Sequence, residues 1–272
     1  MEKNNKEMSF LGHLDELRKR LFKIAVAVFA VAIVAFFFKD FIFDVIIFGP
    51  KDPNFITYRT FCQISRYFGT EGLCIDEIPF VIQSRTMSGQ FNAHMWTSII
   101  AGVIIAFPYI LYQLWLFISP ALYENEKKYA ATFVIISSFL FFVGVLFGYY
   151  IITPLSINFL GAYRVSEQVL SNIDIDSYMS LLRTSVLVSG IIFELPIIIY
   201  FLTKLGVVTP TFLRTYRKHA LVGVLIISAV ITPPDVVSQI IVSIPILLLY
   251  EISILISVIV YKKKLKKELT NE

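Results

Sequence analysis

Two long stretches without a single Asp, Glu, Lys or Arg dominate this 272-residue sequence: 38 residues between Arg85 and Glu124, and 35 between Lys128 and Arg164. About 20 apolar residues cross the hydrocarbon core of a bilayer, and no soluble core needs uninterrupted runs of this length. Only 16% of the residues are charged, against 57% hydrophobic, whereas soluble domains carry about 25% charged residues. Backbone inside lipid must satisfy its own hydrogen bonds, and the alternating ten-residue segments that a barrel requires are absent. The chain is therefore expected to be an all-α, polytopic membrane protein.

Six transmembrane helices are expected, over residues 21–38, 94–118, 130–154, 178–205, 220–232 and 236–261. The fifth reaches only about 20 Å at 1.5 Å per residue, against a core of about 30 Å. The turn Thr232-Pro233-Pro234-Asp235 ends it, and Pro245 falls inside the sixth, so the last two spans are expected to be short or broken. A short span must thin the bilayer or lean on its neighbours. No small-residue cleavage site follows the first apolar run, so it reads as a permanent span and not as a cleavable signal.

Six spans place both ends on one side. That side would hold residues 1–23, 119–129, 204–218 and the tail beyond 261, which together carry 17 of the 24 Lys and Arg residues. The opposite side holds 6, and Arg183 lies within the fourth span. Basic residues beside apolar spans mark the cytoplasmic face, so both termini are expected in the cytoplasm. The chain reads as one integral membrane domain over 1–272, with a cytoplasmic amphipathic N-terminus (1–21), an enlarged external segment (39–93) and a basic cytoplasmic tail (262–272).

Four segments could carry chemistry. In Ser9-Phe10-Leu11-Gly12-His13-Leu14-Asp15-Glu16-Leu17-Arg18-Lys19-Arg20-Leu21, the residues Phe10, Leu14, Leu17 and Leu21 fall on one helical face, as in an interfacial helix. Asp15–Lys19 and Glu16–Arg20 are spaced as ordinary i,i+4 pairs on a solvated face. In Phe117-Ile118-Ser119-Pro120-Ala121-Leu122-Tyr123-Glu124-Asn125-Glu126, Pro120 stops one helix and the acids precede the next, where the dipole favours carboxylates. Phe193-Glu194-Leu195-Pro196 puts a carboxylate inside the fourth span, an expensive placement that points to function or to a packing role beside a proline kink; Glu251 in the sixth span raises the same question. The turn from Thr232 to Asp235, followed by Gln239, reads as a turn capping the next helix.

Enzymatic signatures are missing. There is no phosphate loop and no nucleophile elbow, and His13, His94 and His219 lack metal-ligand spacing. No catalytic role, cofactor, metal or nucleic acid is expected, and any work done would draw on an energy source outside the chain.

Taken together, the four segments resemble the TatC family, the multispan subunit of the twin-arginine protein translocase. The matching pieces are His13 to Leu21, Phe117 with Pro120-Ala121-Leu122-Tyr123 and Glu126, Phe193 to Pro196, and Thr232 to Asp235 with Gln239. They stand in the family's order and on the sides that charge counting assigns. The resemblance implies a receptor for the Arg-Arg signal peptides of folded precursors, with Glu16 and Glu126 receiving the guanidinium groups. Arg18, Phe117, Pro120, Leu122 and Tyr123 would shape the signal-binding region. It also implies contact with single-span TatA or TatB partners through Glu194, with Pro196, Asp235, Gln239 and Glu251 as further intramembrane or partner-facing positions. Self-association, export driven by the proton-motive force, and residence in a bacterial inner membrane follow from the same likeness.

The departure from the family pattern is the external segment of about 50 residues between the first two spans, which contains Cys62 and Cys74. On an oxidising face these could form a local disulfide. The rival reading is an ion-coupled secondary transporter using Glu194 and Glu251, although the repeated halves of that class are not visible.

Overall fold

The computed structural model describes residues 10–67, 69, 74, 80–118, 130–166, 168, 172–233 and 235–270. The chain divides into two compact units: residues 1–39 with 94–139, and residues 40–93 with 140–272.

The first unit is built on helix α1 (Phe10–Phe37) and on most of α3 (Gly89–Ile118), joined by the first half of α4 (Ala130–Phe147). The amphipathic N-terminal stretch and the first span form one unbroken 28-residue helix, because nothing between Leu17 and Lys23 stops a helix. Three contacts in reverse order make α1 and α3 antiparallel. His13 stacks on Phe117 with ring centroids 4.3 Å apart. Gly102 lies so close to α1 that a Cβ there would meet the Val28 carbonyl at 2.7 Å and the Ala32 Cβ at 3.0 Å. His94 stacks on Phe36 at 3.9 Å, with Nε2 3.1 Å from the Phe36 carbonyl oxygen. Small residues let helices approach in lipid, where dispersion and polar contacts replace the hydrophobic drive. On α4, Phe133 packs against Trp115 at 4.8 Å.

The second unit contains a π-helical turn (Phe41–Ile47), a 3-10 turn (Gly49–Lys51), helix α2 (Ile56–Tyr67), strand β1 (Val81–Gln83), the rest of α4 and a second π-helical turn (Gly148–Ile152). It continues through α5 (Thr153–Ala162), β2 (Asn172–Asp174), α6 (Ile175–Phe193), α7 (Leu195–Leu205), α8 (Pro210–Thr215), α9 (Arg217–Ile231) and α10 (Val236–Thr270). Close packing of α4 on α6 depends on missing side chains: a Cβ on Gly144 would meet the Ser189 carbonyl at 2.6 Å, and one on Gly148 would meet the Ser185 carbonyl at 2.5 Å. The Ser189 hydroxyl donates to the Gly144 carbonyl across this seam at 2.8 Å. Ser228 and Ser243 share a hydrogen bond between α9 and α10 at 2.7 Å, and Thr203 and Ser257 share one between α7 and α10 at 2.8 Å. Around these joints Ile152, Val224, Ile231, Val242 and Ile246 form one buried cluster, and Ile199, Leu213 and Ile254 another.

The segment between the first two spans is woven into this unit. The Tyr58 hydroxyl donates to the Pro50 and Pro154 carbonyls (2.8 and 3.1 Å), Tyr149 to Ile46 (2.7 Å) and Tyr178 to Ile47 (2.7 Å). Burial pushes the Tyr58 phenol above its ordinary value, so it stays a neutral donor. β1 and β2 pair in parallel, Val81 opposite Asn172, Ile82 opposite Ile173 and Gln83 opposite Asp174. Arg85 donates to the Asn172 carbonyl at 2.8 Å. Cys62 and Cys74 are joined by a disulfide, with Cα atoms 4.4 Å apart.

Among the described residues, five helical segments are long and apolar enough to cross a membrane, and a sixth, α9, has only 15 residues. The protein is thus a multi-pass, six-span membrane protein. The fifth span is short, as expected. The sixth is neither short nor broken: α10 runs unbroken for 35 residues through Pro245. A proline removes one ladder donor, and neighbouring helices keep such a span intact in lipid. Nothing after Tyr261 stops the helix, and its lysines suit a helix C-terminus. The break falls instead in the fourth span, between α6 and α7, at Glu194.

Candidate functional site

At one end of the first unit, α1 and α3 bring a charged cluster together. Glu16 Oε1 accepts from Arg20 Nε at 3.1 Å and from Nη2 at 2.5 Å. Arg20 Nη1 donates to Gln113 Oε1 on α3 at 3.3 Å. The Arg20 and Glu16 side chains are 18% and 23% exposed, whereas the Asp15–Lys19 pair (2.7 Å) is 70% and 54% exposed. Both i,i+4 pairs follow from the helical register, but only Glu16–Arg20 turns toward α3. Phe117 lies in this neighbourhood, stacked on His13. Arg18 points to solvent on another face. Pro120, Leu122, Tyr123 and Glu126 lie outside the described residues.

The second unit holds the other sequence candidates. Glu194 is 8% exposed. Its carbonyl accepts from both Ile197 and Ile198 (3.0 Å each), and its own N–H donates to Ile191 at 3.1 Å. Pro196, fully buried, sits in the first turn of α7, the one place in a helix where a missing N–H costs nothing. The break thus sets a buried carboxylate between two helical segments inside the fourth span. Asp235 caps α10: Oδ2 accepts from the Ser238 N–H at 2.8 Å and from its hydroxyl at 2.7 Å. Burial alone would push this carboxyl up, but those hydrogen bonds and one from the Val237 backbone hold it below the ordinary carboxylate value. Gln239 Nε2 donates to the Leu225 carbonyl on α9 at 3.0 Å, a joint between helices.

Glu251 receives Arg217 Nη2 at 2.7 Å, both side chains being half-exposed. Arg217 starts the short helix α9, so this acid is paired with a cation from the basic loop. Two participants escaped sequence reasoning: Gln113 and Arg217. A buried glutamine in a charge-free span was a legible signal; the other depends on helix packing. Among the described residues, no group of three His, Cys, Asp or Glu side chains could hold a metal ion.

The family profile described as Sec-independent protein translocase protein (TatC) matches residues 12–245. The Sec-independent protein translocase protein TatC of Blattabacterium sp. subsp. Periplaneta americana is 42% identical over 266 residues, covering 97% of this chain and all of that protein. TatCy of Bacillus subtilis is 36% identical, covering 96% of this chain and 92% of its own length. The crystal structure of the twin arginine translocase receptor TatC superposes with a TM-score of 0.67 at 33% identity, covering 91% of this chain and 99% of that one. A second crystal structure of that receptor, in DDM, gives 0.69 at 34% identity, with 90% and 99% covered. These relatives are named as translocase components, a transport role and not a catalytic one. A profile match across most of the sequence, relatives of equal length and a shared six-span architecture agree: the chain belongs to the TatC family of Sec-independent protein translocase subunits.

Proposed function

We propose that this translocase subunit is the receptor for Arg-Arg signal peptides of folded precursors, and that Glu16 and Glu126 receive the two arginines. One observation carries the reading. Glu16 stands on α1 beside α3, partly shielded from water and already engaged by a guanidinium that also reaches Gln113. A carboxylate that holds one guanidinium through two donors has the geometry to hold another. A planar fork meets a carboxylate through two hydrogen bonds, which an ammonium cannot copy. Each charge-assisted bond contributes about 1.5–3 kcal/mol, so two such sites discriminate usefully. Phe117 supports the same end of the unit through its stack on His13; signal-binding roles for Arg18, Pro120, Leu122 and Tyr123 rest on the family resemblance.

The same reading places the protein in the bacterial inner membrane with both termini in the cytoplasm, because 17 of 24 basic residues fall on that side. TatA- or TatB-type single-span proteins dock in the membrane, with Glu194 at its kink offering a polar contact, and the proton-motive force drives export. Asp235, Gln239 and Pro196 shape the helices around that contact. Glu16→Ala and Glu126→Ala are each expected to abolish cross-linking to an Arg-Arg precursor while the protein stays inserted. Unchanged cross-linking in both variants would remove the receptor assignment.

A further inference from the structure

The guanidinium that occupies Glu16 belongs to the chain itself. We propose that Arg20 is a resident competitor for the Glu16 carboxylate, which an incoming cation must displace; this inference rests on the receptor reading above. Arg20 is held from two sides. Its Nε and Nη2 meet Glu16 Oε1 (3.1 and 2.5 Å), and its Nη1 meets Gln113 Oε1 (3.3 Å), anchored on a residue only 5% exposed. Both donors to Glu16 fall on the same oxygen, which leaves Oε2 outside the fork.

The degree of burial decides what such a contact does. A pair more than half exposed on both sides, such as Asp15–Lys19, is worth little and competes with nothing. A sealed pair would not open, because separation strands a buried charge. At about one-fifth exposure, an incoming guanidinium reaches Oε2 first, and Arg20 then swings out to water, where it is solvated at small cost. The same internal contact is broken for every ligand, so Arg20 weakens all cationic ligands by the same factor. Its effect is a threshold: forked guanidinium pairs stay above it and ammonium pairs fall below.

The test uses the full-length chain in nanodiscs and fluorescent signal peptides carrying Arg-Arg or Lys-Lys, titrated against wild type, Arg20→Lys, Arg20→Gln, Gln113→Leu and Glu16→Gln. Affinity for both peptides is expected to rise from wild type to Arg20→Lys to Arg20→Gln, by roughly three- to tenfold overall. The Arg-Arg to Lys-Lys ratio should stay constant, and Gln113→Leu should give a smaller rise. A purely structural Arg20 reverses that order, because losing it would disorder the site. Affinity that falls or stays unchanged in both Arg20 variants overturns the proposal. Where thermal melting shows Arg20→Gln unfolded, Arg20→Lys, which keeps the charge, decides by the same sign. Failure of the receptor reading looks different: Glu16→Gln would then bind the Arg-Arg peptide as tightly as wild type.

Discussion

The two compact units use polar groups in opposite ways. In the unit of residues 40–93 and 140–272, buried hydroxyls and phenols spend their hydrogen bonds on the fold: Ser189 on Gly144, Ser228 on Ser243, Thr203 on Ser257, and Tyr58 on two carbonyls. In the other unit, the polar residues that matter sit at a helix end, one-fifth exposed, in an ion pair that another cation can exchange. The comparison teaches that uncharged polar groups make good joints inside a bilayer, since each satisfies a partner at no Born cost. Ion pairs are kept where water or a ligand can reach them, whereas the carboxylate of Glu194 is buried. Arg217–Glu251 obeys the same rule, being half-exposed although it links two helices.

Three substitutions would break or sharpen this division. The largest effect is expected from Gly148→Ala, whose Cβ would press on the Ser185 carbonyl and on the Ser189 hydroxyl. Overpacking of this kind costs about 1–3 kcal/mol or more, read as a lowered midpoint in detergent melting. The control is Gly223→Ala, where a Cβ meets nothing within 4 Å; there helix propensity favours alanine by up to about 1 kcal/mol. Equal losses at both glycines would show that packing at the α4–α6 seam is not the cause.

Tyr58→Phe comes next. It removes the phenol from two buried carbonyls, Pro50 and Pro154, with an expected loss of about 1–3 kcal/mol and faster hydrogen exchange in residues 50–58. Smallest is Arg217→Gln, with a cost of about 0–1 kcal/mol because the pair is half-exposed. A melting shift for Arg217→Gln as large as that of Tyr58→Phe would erase the distinction between joints and presented charges.

Much of the architecture was readable in advance because lipid leaves few options. A charge-free run must become a helix that satisfies its own backbone, so six spans could be placed along the sequence, although the first begins and the third ends eight or nine residues outside the expected bounds. The i,i+4 spacing likewise anticipated Glu16–Arg20 and Asp15–Lys19. One local expectation misplaced a break: Pro245 lies in a continuous helix, whereas the proline kink expected beside Glu194 does interrupt the fourth span. Proline marks where a helix is able to break, and packing chooses where it does. The segment over residues 39–93 carries the disulfide its two cysteines suggested, and also half of a parallel strand pair and tyrosine contacts to distant carbonyls that sequence did not announce.

Sequence by itself therefore determined the number of spans, the charge asymmetry across them and the short motifs that this chain shares with its family. Each of these depends on local hydropathy, helical period or short motifs. Only tertiary structure decided that Arg20 turns toward Gln113, that Glu251 meets Arg217 and that residues 81–83 pair with residues 172–174. Those contacts join positions 34 to 93 residues apart. No periodicity within one segment encodes them; they exist because helices packed through small residues carry distant side chains into reach.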